Sequence, residues 1–229
     1  MNRAPWIAFG VSLALAASWL GLVLVPQLQL GSEPMVVIEA TGQDYPLARS
    51  GGAQAGAAVY RACGCAVCHT QQVRPAAEGG DLARGWGRRR TVARDYLRDE
   101  PPMLGSLRLG PDLANLGARE TNNVTLLFKL YDARIATPGS TMPRFLWLFT
   151  KRRVPAGFAQ SPEALPLPPA FAPPPGWEVV PTDDARALVA YLRSLQSAAL
   201  FYEVFPPVKP RPATNGVAPV SATNTPPTR

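Results

Sequence analysis

The chain has 229 residues, of which 17% are charged, and its formal net charge at pH 7 is +7. That length accommodates one domain with appended segments, and the positive charge alone does not choose between nucleic acid, anionic lipid and an acidic protein as partner. The three cysteines lie within residues 63–68. They are too close together to join distant parts of a fold, which excludes a disulfide framework and favours a metal or a covalent cofactor.

The N-terminal segment is predicted to be a membrane anchor. Residues 6–25 carry no charge, and a helix of that length spans the roughly 30 Å hydrocarbon core of a bilayer. Arg3 precedes this run, so the positive-inside rule places the N-terminus in the cytoplasm and the rest of the chain in the periplasm of a bacterium. A cleaved signal peptide is the alternative, but the run is long for a signal core and no A-x-A site follows it. We therefore predict a retained transmembrane anchor over residues 1–30 of an inner-membrane protein.

A linker over residues 31–50 is expected next, and residues 26–45 are expected to form an extended tether. From Gly51 small helix-forming residues predict a helix that runs into the cysteines. This helix opens the main domain, which we assign to residues 51–205.

The sequence CAVCH at residues 65–69 is the attachment signature of c-type haem. Cys65 and Cys68 are three positions apart on a helical turn, so each thiol can add to one vinyl group of the same porphyrin. The adjacent His69 is then delivered to the iron as the proximal ligand. We predict one covalent haem c.

Other uses of this cluster fit less well. A zinc site would need four ligands within residues 63–69 arranged round a tetrahedron, which is strained. A thioredoxin-like motif needs a βαβ context that is missing, and a binuclear copper site needs two histidines where the chain has one. Cys63 is interpreted as a small buried thiol.

Arginines are concentrated in residues 84–98. Nucleic-acid binding is not expected outside the cytoplasm, and an aromatic platform is lacking. Haem propionates favour arginine forks, so we predict Arg74 as a propionate partner, with one arginine of residues 88–90 as the second candidate. The remaining arginines are expected to be solvated or to contact a catalytic subunit or anionic lipid.

Two further helices are predicted before the next candidate ligand. The sequence ARDYLRD at residues 93–99 indicates a short helix, and residues 122–134 have apolar side chains at helical spacing after an asparagine cap. The sixth ligand of the iron is a methionine, or the site is open, because there is no second histidine. Met142 stands before a proline that fixes the loop, which makes it the predicted ligand, whereas Met103 is more typical of a packing residue.

The C-terminal third combines proline-rich segments with one helix. Residues 151–181 contain nine prolines and no apolar periodicity, which indicates a loop or insertion. Thr182 then caps a predicted helix whose first turn is acidic. Residues 206–229 are rich in proline and threonine, which is typical of a disordered tail.

The order of these motifs resembles a class I cytochrome c domain. CAVCH is followed by GPDL at residues 110–113, by Met142 before a proline, and by a helix containing Tyr191. The resemblance implies a mainly α fold in which Pro111 accepts a hydrogen bond from His69. It also implies that the C-terminal helix packs across the N-terminal helix of the domain.

Three longer stretches, CHTQQVRP, RLGPDLANLG and PGSTMPRFLWLF, are similar to the mono-haem subunit II (FixO type) of cbb-type haem–copper oxidases. This resemblance covers residues 5–150. It implies an electron-transfer subunit without substrate chemistry of its own, with the catalytic subunit as partner and a c-type cytochrome or a quinol-oxidising complex as donor. The alternatives are a cytochrome subunit of another respiratory complex and an enzyme or sensor with an open haem site.

Overall fold

The structure of the chain, a computed structural model, describes residues 3–31, 33–39, 41–197, 199–200 and 202–204. Most regular structure in these residues is helical, as predicted. The α-helices are α1 (Ala4–Trp19), α2 (Val25–Leu30), α3 (Gly51–Ala62), α4 (Cys65–Cys68), α5 (Leu116–Arg119), α6 (Asn123–Asp132) and α7 (Asp183–Ser194). The strands are β1 (Val36–Ile38), β2 (Gln43–Tyr45), β3 (Phe149–Arg153) and β4 (Trp177–Pro181). The predicted disordered tail, residues 206–229, lies outside the described residues.

Helices α1 and α2 are joined by a π-helical turn (Leu20–Leu24) into one apolar helix. Between Ala4 and Gln29 this helix has 26 residues, and its most apolar stretch is not buried. Its length is about 39 Å at 1.5 Å per residue. The π turn comes just before Pro26, whose missing N–H removes a hydrogen bond of the regular α-helix. The helix is long and apolar enough to cross a membrane.

The segment after this helix is folded, so the extended tether expected over residues 26–45 is wrong. Helix α2 continues to Leu30, and β1 and β2 form an antiparallel hairpin in which Val36 lies opposite Tyr45. Pairing of the two strands satisfies backbone N–H and C=O groups that an isolated extended chain would leave to solvent.

Side-chain hydrogen bonds hold residues 33–45 on the main domain. Arg94 binds the Glu33 carboxylate and the Pro34 carbonyl oxygen. The Tyr45 hydroxyl donates to Asp95 at 2.5 Å. Arg94 and Glu33 are 61 residues apart in the sequence, and local sequence patterns do not reveal such contacts.

The core lies where α3 crosses α7. Tyr60 and Tyr191 are almost fully buried there, with ring centroids 5.2 Å apart. The helices approach so closely at Gly56 that a Cβ atom would lie 1.9 Å from the Ala187 carbonyl oxygen. The expected packing of the C-terminal helix across the N-terminal helix of the domain is confirmed. Further apolar residues of α7 and its C-terminus are buried: Leu188, Leu192 and Leu195.

Two predicted helix starts are confirmed by their caps. The Asn122 side chain accepts a hydrogen bond from the Val124 N–H at 2.9 Å, at the start of α6. The Thr182 hydroxyl accepts one from the Ala185 N–H at 3.3 Å, at the start of α7. Each cap satisfies an N–H group that has no partner within its helix.

The proline-rich segment 151–181 has a strand at each end, which the sequence did not predict. β3 and β4 are antiparallel, with Arg153 opposite Trp177. Between them Leu165 is buried, and its N–H donates to the Val179 carbonyl at 2.8 Å. Most of β3 is exposed whereas β4 is mostly buried, so neither strand shows the alternation that reveals a half-buried strand.

Candidate haem site

The two thiols of the CAVCH motif lie on one helical turn. Between α3 and α4, Gly64 has a φ of +68°, a left-handed conformation that glycine adopts without steric cost. Helix α4 consists of Cys65–Cys68, and residues three apart are neighbours on the same face of a helix. His69 follows with extended backbone angles, φ −116° and ψ 135°. The motif thus presents two neighbouring thiols with the histidine immediately after them.

The His69 ring is held between a carbonyl group and a glycine. Its Nδ1 lies 2.8 Å from the Pro111 carbonyl oxygen, which assigns the proton to Nδ1 and the lone pair to Nε2. A Cβ atom on Gly110 would lie 2.2 Å from His69 Cε1, so the ring packs on the glycine backbone. The Gly110 N–H donates to the Cys68 carbonyl at 3.0 Å. The GPDL segment therefore orients His69 with Nε2 as its metal-binding nitrogen.

Two fully buried carboxylates, Asp81 and Asp112, lie beside the residues that follow the motif. Arg108 lies 2.6 Å from Asp81 and 3.8 Å from Asp112, and it joins the two acids in one network. Sequence reasoning missed both acids. The only signal available was the position of Asp112 directly after Pro111, since a buried aspartate is recognised by its partners and these are distant in the sequence.

Arg74, the predicted propionate partner, is bound to Asp81. The Arg74 backbone N, Nη2 and Nε lie 2.8, 3.0 and 3.2 Å from the Asp81 carboxylate. Burial alone would raise the pKa of Asp81, but hydrogen bonds from Arg74 and Arg108 outweigh it and hold that pKa well below its usual range. The Arg74 side chain is still 34% exposed, and its contact with a propionate stays a prediction.

Arg89 is the buried member of the arginines at residues 88–90. Its Nη2 and Nη1 lie 2.7 and 2.8 Å from the two carboxylate oxygens of Asp95, and its Nε donates to the Ala199 carbonyl at 2.5 Å. These contacts indicate a structural role for Arg89, because they join the arginine-rich segment to the C-terminal part of the domain.

Both candidate methionines are partly buried against the same core cluster as Cys65. Met142 lies in the loop after α6, and the Phe145 N–H donates to the Leu130 carbonyl at 3.0 Å, which ties this loop to α6. Packing does not distinguish Met142 from Met103, so the ligand role of Met142 stays a prediction.

A zinc site would require further ligands close to the cysteines. Cys63, Cys65 and Cys68 are free and partly buried. Burial raises the pKa of the Cys65 thiol to about 12. Among the residues that the structure describes, no group of three or more histidine, cysteine or acidic side chains is placed to hold a metal ion.

Large apolar side chains are exposed beside the motif. Val67, Leu107 and Leu109 are 54%, 50% and 76% exposed, and the Leu107 N–H donates to the Val67 carbonyl at 3.2 Å. Exposed apolar surface of this kind marks a ligand or partner site. Two neighbouring thiols, one oriented imidazole and an adjoining apolar surface are together the features that fit a haem.

Comparison with known families agrees with this chemistry. The family model described as cytochrome c oxidase, mono-heme subunit/FixO, matches residues 9–165, more than half of the chain. The matched range includes most of the apolar helix, the CAVCH motif, GPDL and Met142. No curated protein matches the chain.

Proposed function

Because the chain belongs to the FixO family of mono-haem cytochrome c oxidase subunits, we propose that it passes single electrons through one covalent haem c within a cbb-type haem–copper oxidase. Membership of the family supports both the haem and the catalytic oxidase subunit as partner. The observation that carries the proposal is the pair of thiols on one helical turn beside a histidine whose Nδ1 is held by the Pro111 carbonyl. In this proposal the chain has no substrate chemistry of its own.

Each proposed site residue has a separate task. Cys65 and Cys68 would hold the porphyrin through thioether bonds, and His69 Nε2 would bind the iron. Pro111 orients the imidazole and would raise its basicity through the Nδ1–H hydrogen bond. Met142 would be the second protein ligand of the iron and would favour a high reduction potential. Bound haem supplies the one-electron iron couple.

We assign residues 51–205 to a class I cytochrome c domain. The crossing of α3 and α7 next to the motif supports this assignment, because it brings the start and the end of the domain together behind the haem-binding residues. The family match ends at residue 165, so the assignment of β4 and α7 to this domain rests on their packing against the rest of it.

The proposed location is the periplasmic side of a bacterial inner membrane. Arg3 precedes the apolar helix, which favours a cytoplasmic N-terminus. The contacts of Arg94 with Glu33 and Pro34 support a domain held near the end of that helix. Electrons from a c-type cytochrome or a quinol-oxidising complex would then reach the catalytic subunit without diffusion of this chain.

Haem staining of a denaturing gel tests the covalent attachment. Cys65→Ala and Cys68→Ala are expected to weaken or abolish the stained band of the full-length chain, because each variant loses one thioether bond. Cys63→Ala is the matched control and is expected to keep the stain. A stain of undiminished strength in both motif variants would contradict the proposed attachment.

A further inference from the structure

We propose that Asp112 is a positioning residue for the proximal histidine. Its carboxylate fastens the segment that carries the Pro111 carbonyl to the segment that follows His69, and so fixes the direction of the Nδ1–H bond. The inference rests on the proposed function, since it treats His69 as an iron ligand.

The Asp112 carboxylate is fully buried and accepts three hydrogen bonds. Oδ2 accepts from the Thr70 hydroxyl at 2.6 Å and from the Gln72 N–H at 2.7 Å. Oδ1 accepts from the Ala114 N–H at 2.9 Å. Two donors thus lie on the segment after His69 and one lies on the segment of Asp112 itself. The Asp112 side chain therefore links the two segments.

The His69–Pro111 hydrogen bond lies at the end of this junction. The junction also contains a backbone hydrogen bond from the Leu113 N–H to the Thr70 carbonyl at 2.8 Å. Thr70 is adjacent to His69, and Asp112 is adjacent to Pro111. A change in the Asp112 contacts therefore moves the donor and the acceptor of the imidazole hydrogen bond relative to each other.

At position 112 an aspartate can accept more hydrogen bonds than the isosteric asparagine. It accepts hydrogen bonds on both oxygens, whereas an asparagine has one acceptor oxygen and an NH₂ group that donates. Asp112→Asn therefore loses at least one of the three hydrogen bonds. Arg108, 3.8 Å from the Asp112 carboxylate, balances the charge.

Asp81 provides a matched control. It is as fully buried as Asp112 and is bound by the same Arg108. Its other hydrogen bonds come from Arg74, so Asp81 links Arg74 to Arg108 but is not bonded to any of the three donors that hold Asp112. Asp81→Asn removes a buried charge from the same network without removing any of the three hydrogen bonds to Asp112.

The test measures hydrogen–deuterium exchange of the His69 Nδ1–H by nitrogen-15 NMR in the full-length, haem-loaded, reduced protein. Loss of a charge-assisted hydrogen bond from the junction is expected to speed this exchange by about tenfold or more in Asp112→Asn. Asp81→Asn is expected to leave the exchange rate unchanged. An unchanged rate in Asp112→Asn, or an equal increase in both variants, would overturn the inference.

A second pair of variants keeps the test decisive if Asp112→Asn does not fold. Thr70→Val removes one hydrogen bond to Asp112 without changing any charge, and Thr70→Ser retains the hydroxyl. A weaker Nδ1–H hydrogen bond lowers the basicity of the ligand, so Thr70→Val is expected to exchange faster and to have a higher reduction potential. Thr70→Ser is expected to keep the wild-type exchange rate and the wild-type reduction potential.

Equal exchange rates and equal reduction potentials in Thr70→Val and Thr70→Ser would contradict the positioning role of Asp112. A wild-type spectrum without an iron-bound His69 would instead contradict the proposed function, and with it this inference. The two failures are therefore distinguishable.

Discussion

The imidazole of His69 lies between the Pro111 carbonyl, 2.8 Å from Nδ1, and the backbone of Gly110. A hydrogen bond from Nδ1–H to a carbonyl fixes the tautomer and the ring orientation of a metal-binding histidine. The two neighbouring thiols, Cys65 and Cys68, come from a single helical turn. The residues proposed to bind the proximal side of the haem thus come from two short segments, residues 65–69 and 110–111.

Met142 is the proposed sixth ligand of the haem iron. Met142→Ala is expected to make the iron high-spin and to lower the reduction potential by on the order of a hundred millivolts, within the roughly 0.8 V that axial ligands control. The reason is that Met142 is the proposed sixth ligand. Absorption spectra and a redox titration of the full-length protein measure both effects.

Met103→Ala is the control, because Met103 packs against the same core cluster as Met142. It is expected to keep a low-spin spectrum. High-spin iron in Met103→Ala with an unchanged Met142→Ala would assign the ligand to Met103.

Residues with local spacing could be predicted from the sequence, and residues with distant partners could not. Cys65, Cys68 and His69 are recognised by their order alone. Asp112 is not, because its bond to Thr70 spans 42 residues. Arg74 was predicted as a propionate partner without regard to Asp81, since the sequence does not show that a buried carboxylate lies beside it.

At the scale of elements, the crossing of α3 and α7 supports the motif from behind. Helix α3 leads directly into the Cys65 turn, so a change in the position of α3 also moves the thiols. The two helices approach closely at Gly56, where a Cβ would lie 1.9 Å from the Ala187 carbonyl oxygen and 2.8 Å from Tyr191 Cβ.

Gly56→Ala is therefore expected to force the two helices apart and to destabilise the domain by roughly 1–3 kcal/mol. Thermal or denaturant unfolding of the haem-loaded protein measures this loss. Gly52→Ala is the matched control in the same helix, since nothing lies within 4 Å of its added Cβ. It is expected to be neutral or to stabilise by up to about 1 kcal/mol. Equal free energies of unfolding for Gly56→Ala and Gly52→Ala would contradict this close packing of α3 on α7.

The helices and strands differ in the same way: those marked by local patterns could be predicted from the sequence, and those that depend on distant partners could not. Helices α6 and α7 were predicted because Asn122 and Thr182 mark their starts and apolar residues recur at helical spacing. Strands β3 and β4 were missed because each depends on a partner more than twenty residues away. The β1–β2 hairpin was missed because each strand has only three residues, too few to show an alternating pattern, and because Tyr45 bonds Asp95, 50 residues away in the sequence.

At the scale of the whole molecule, Arg94 connects three parts of the chain. Its side chain is 7% exposed and binds Glu33 just after the apolar helix and Glu203 near the end of the described chain. The haem domain is therefore held at the helix end by a buried arginine, where an extended tether would have let it move.

Arg94→Ala is expected to leave a folded, haem-containing domain but to loosen residues 33–38 from it. Hydrogen exchange of the amides in that segment is expected to become about tenfold faster, because a buried ionic contact is lost. Arg186→Ala is the control, since its ion pair with Asp183 is exposed and exposed pairs contribute little. Unchanged exchange in Arg94→Ala would show that the segment is held by other contacts.

The most direct test of the central claim is whether oxygen oxidises the haem c of this chain in the oxidase complex that we propose for it. The full-length protein, purified through a tag on this chain after mild detergent extraction and reduced without oxygen, is mixed with oxygen while the haem c absorption is followed. The account predicts that a haem–copper catalytic subunit co-purifies and that the haem c is oxidised at least as fast as the complex turns over. Isolation of the chain without such a subunit, or a haem c that stays reduced while oxygen is consumed, would contradict it.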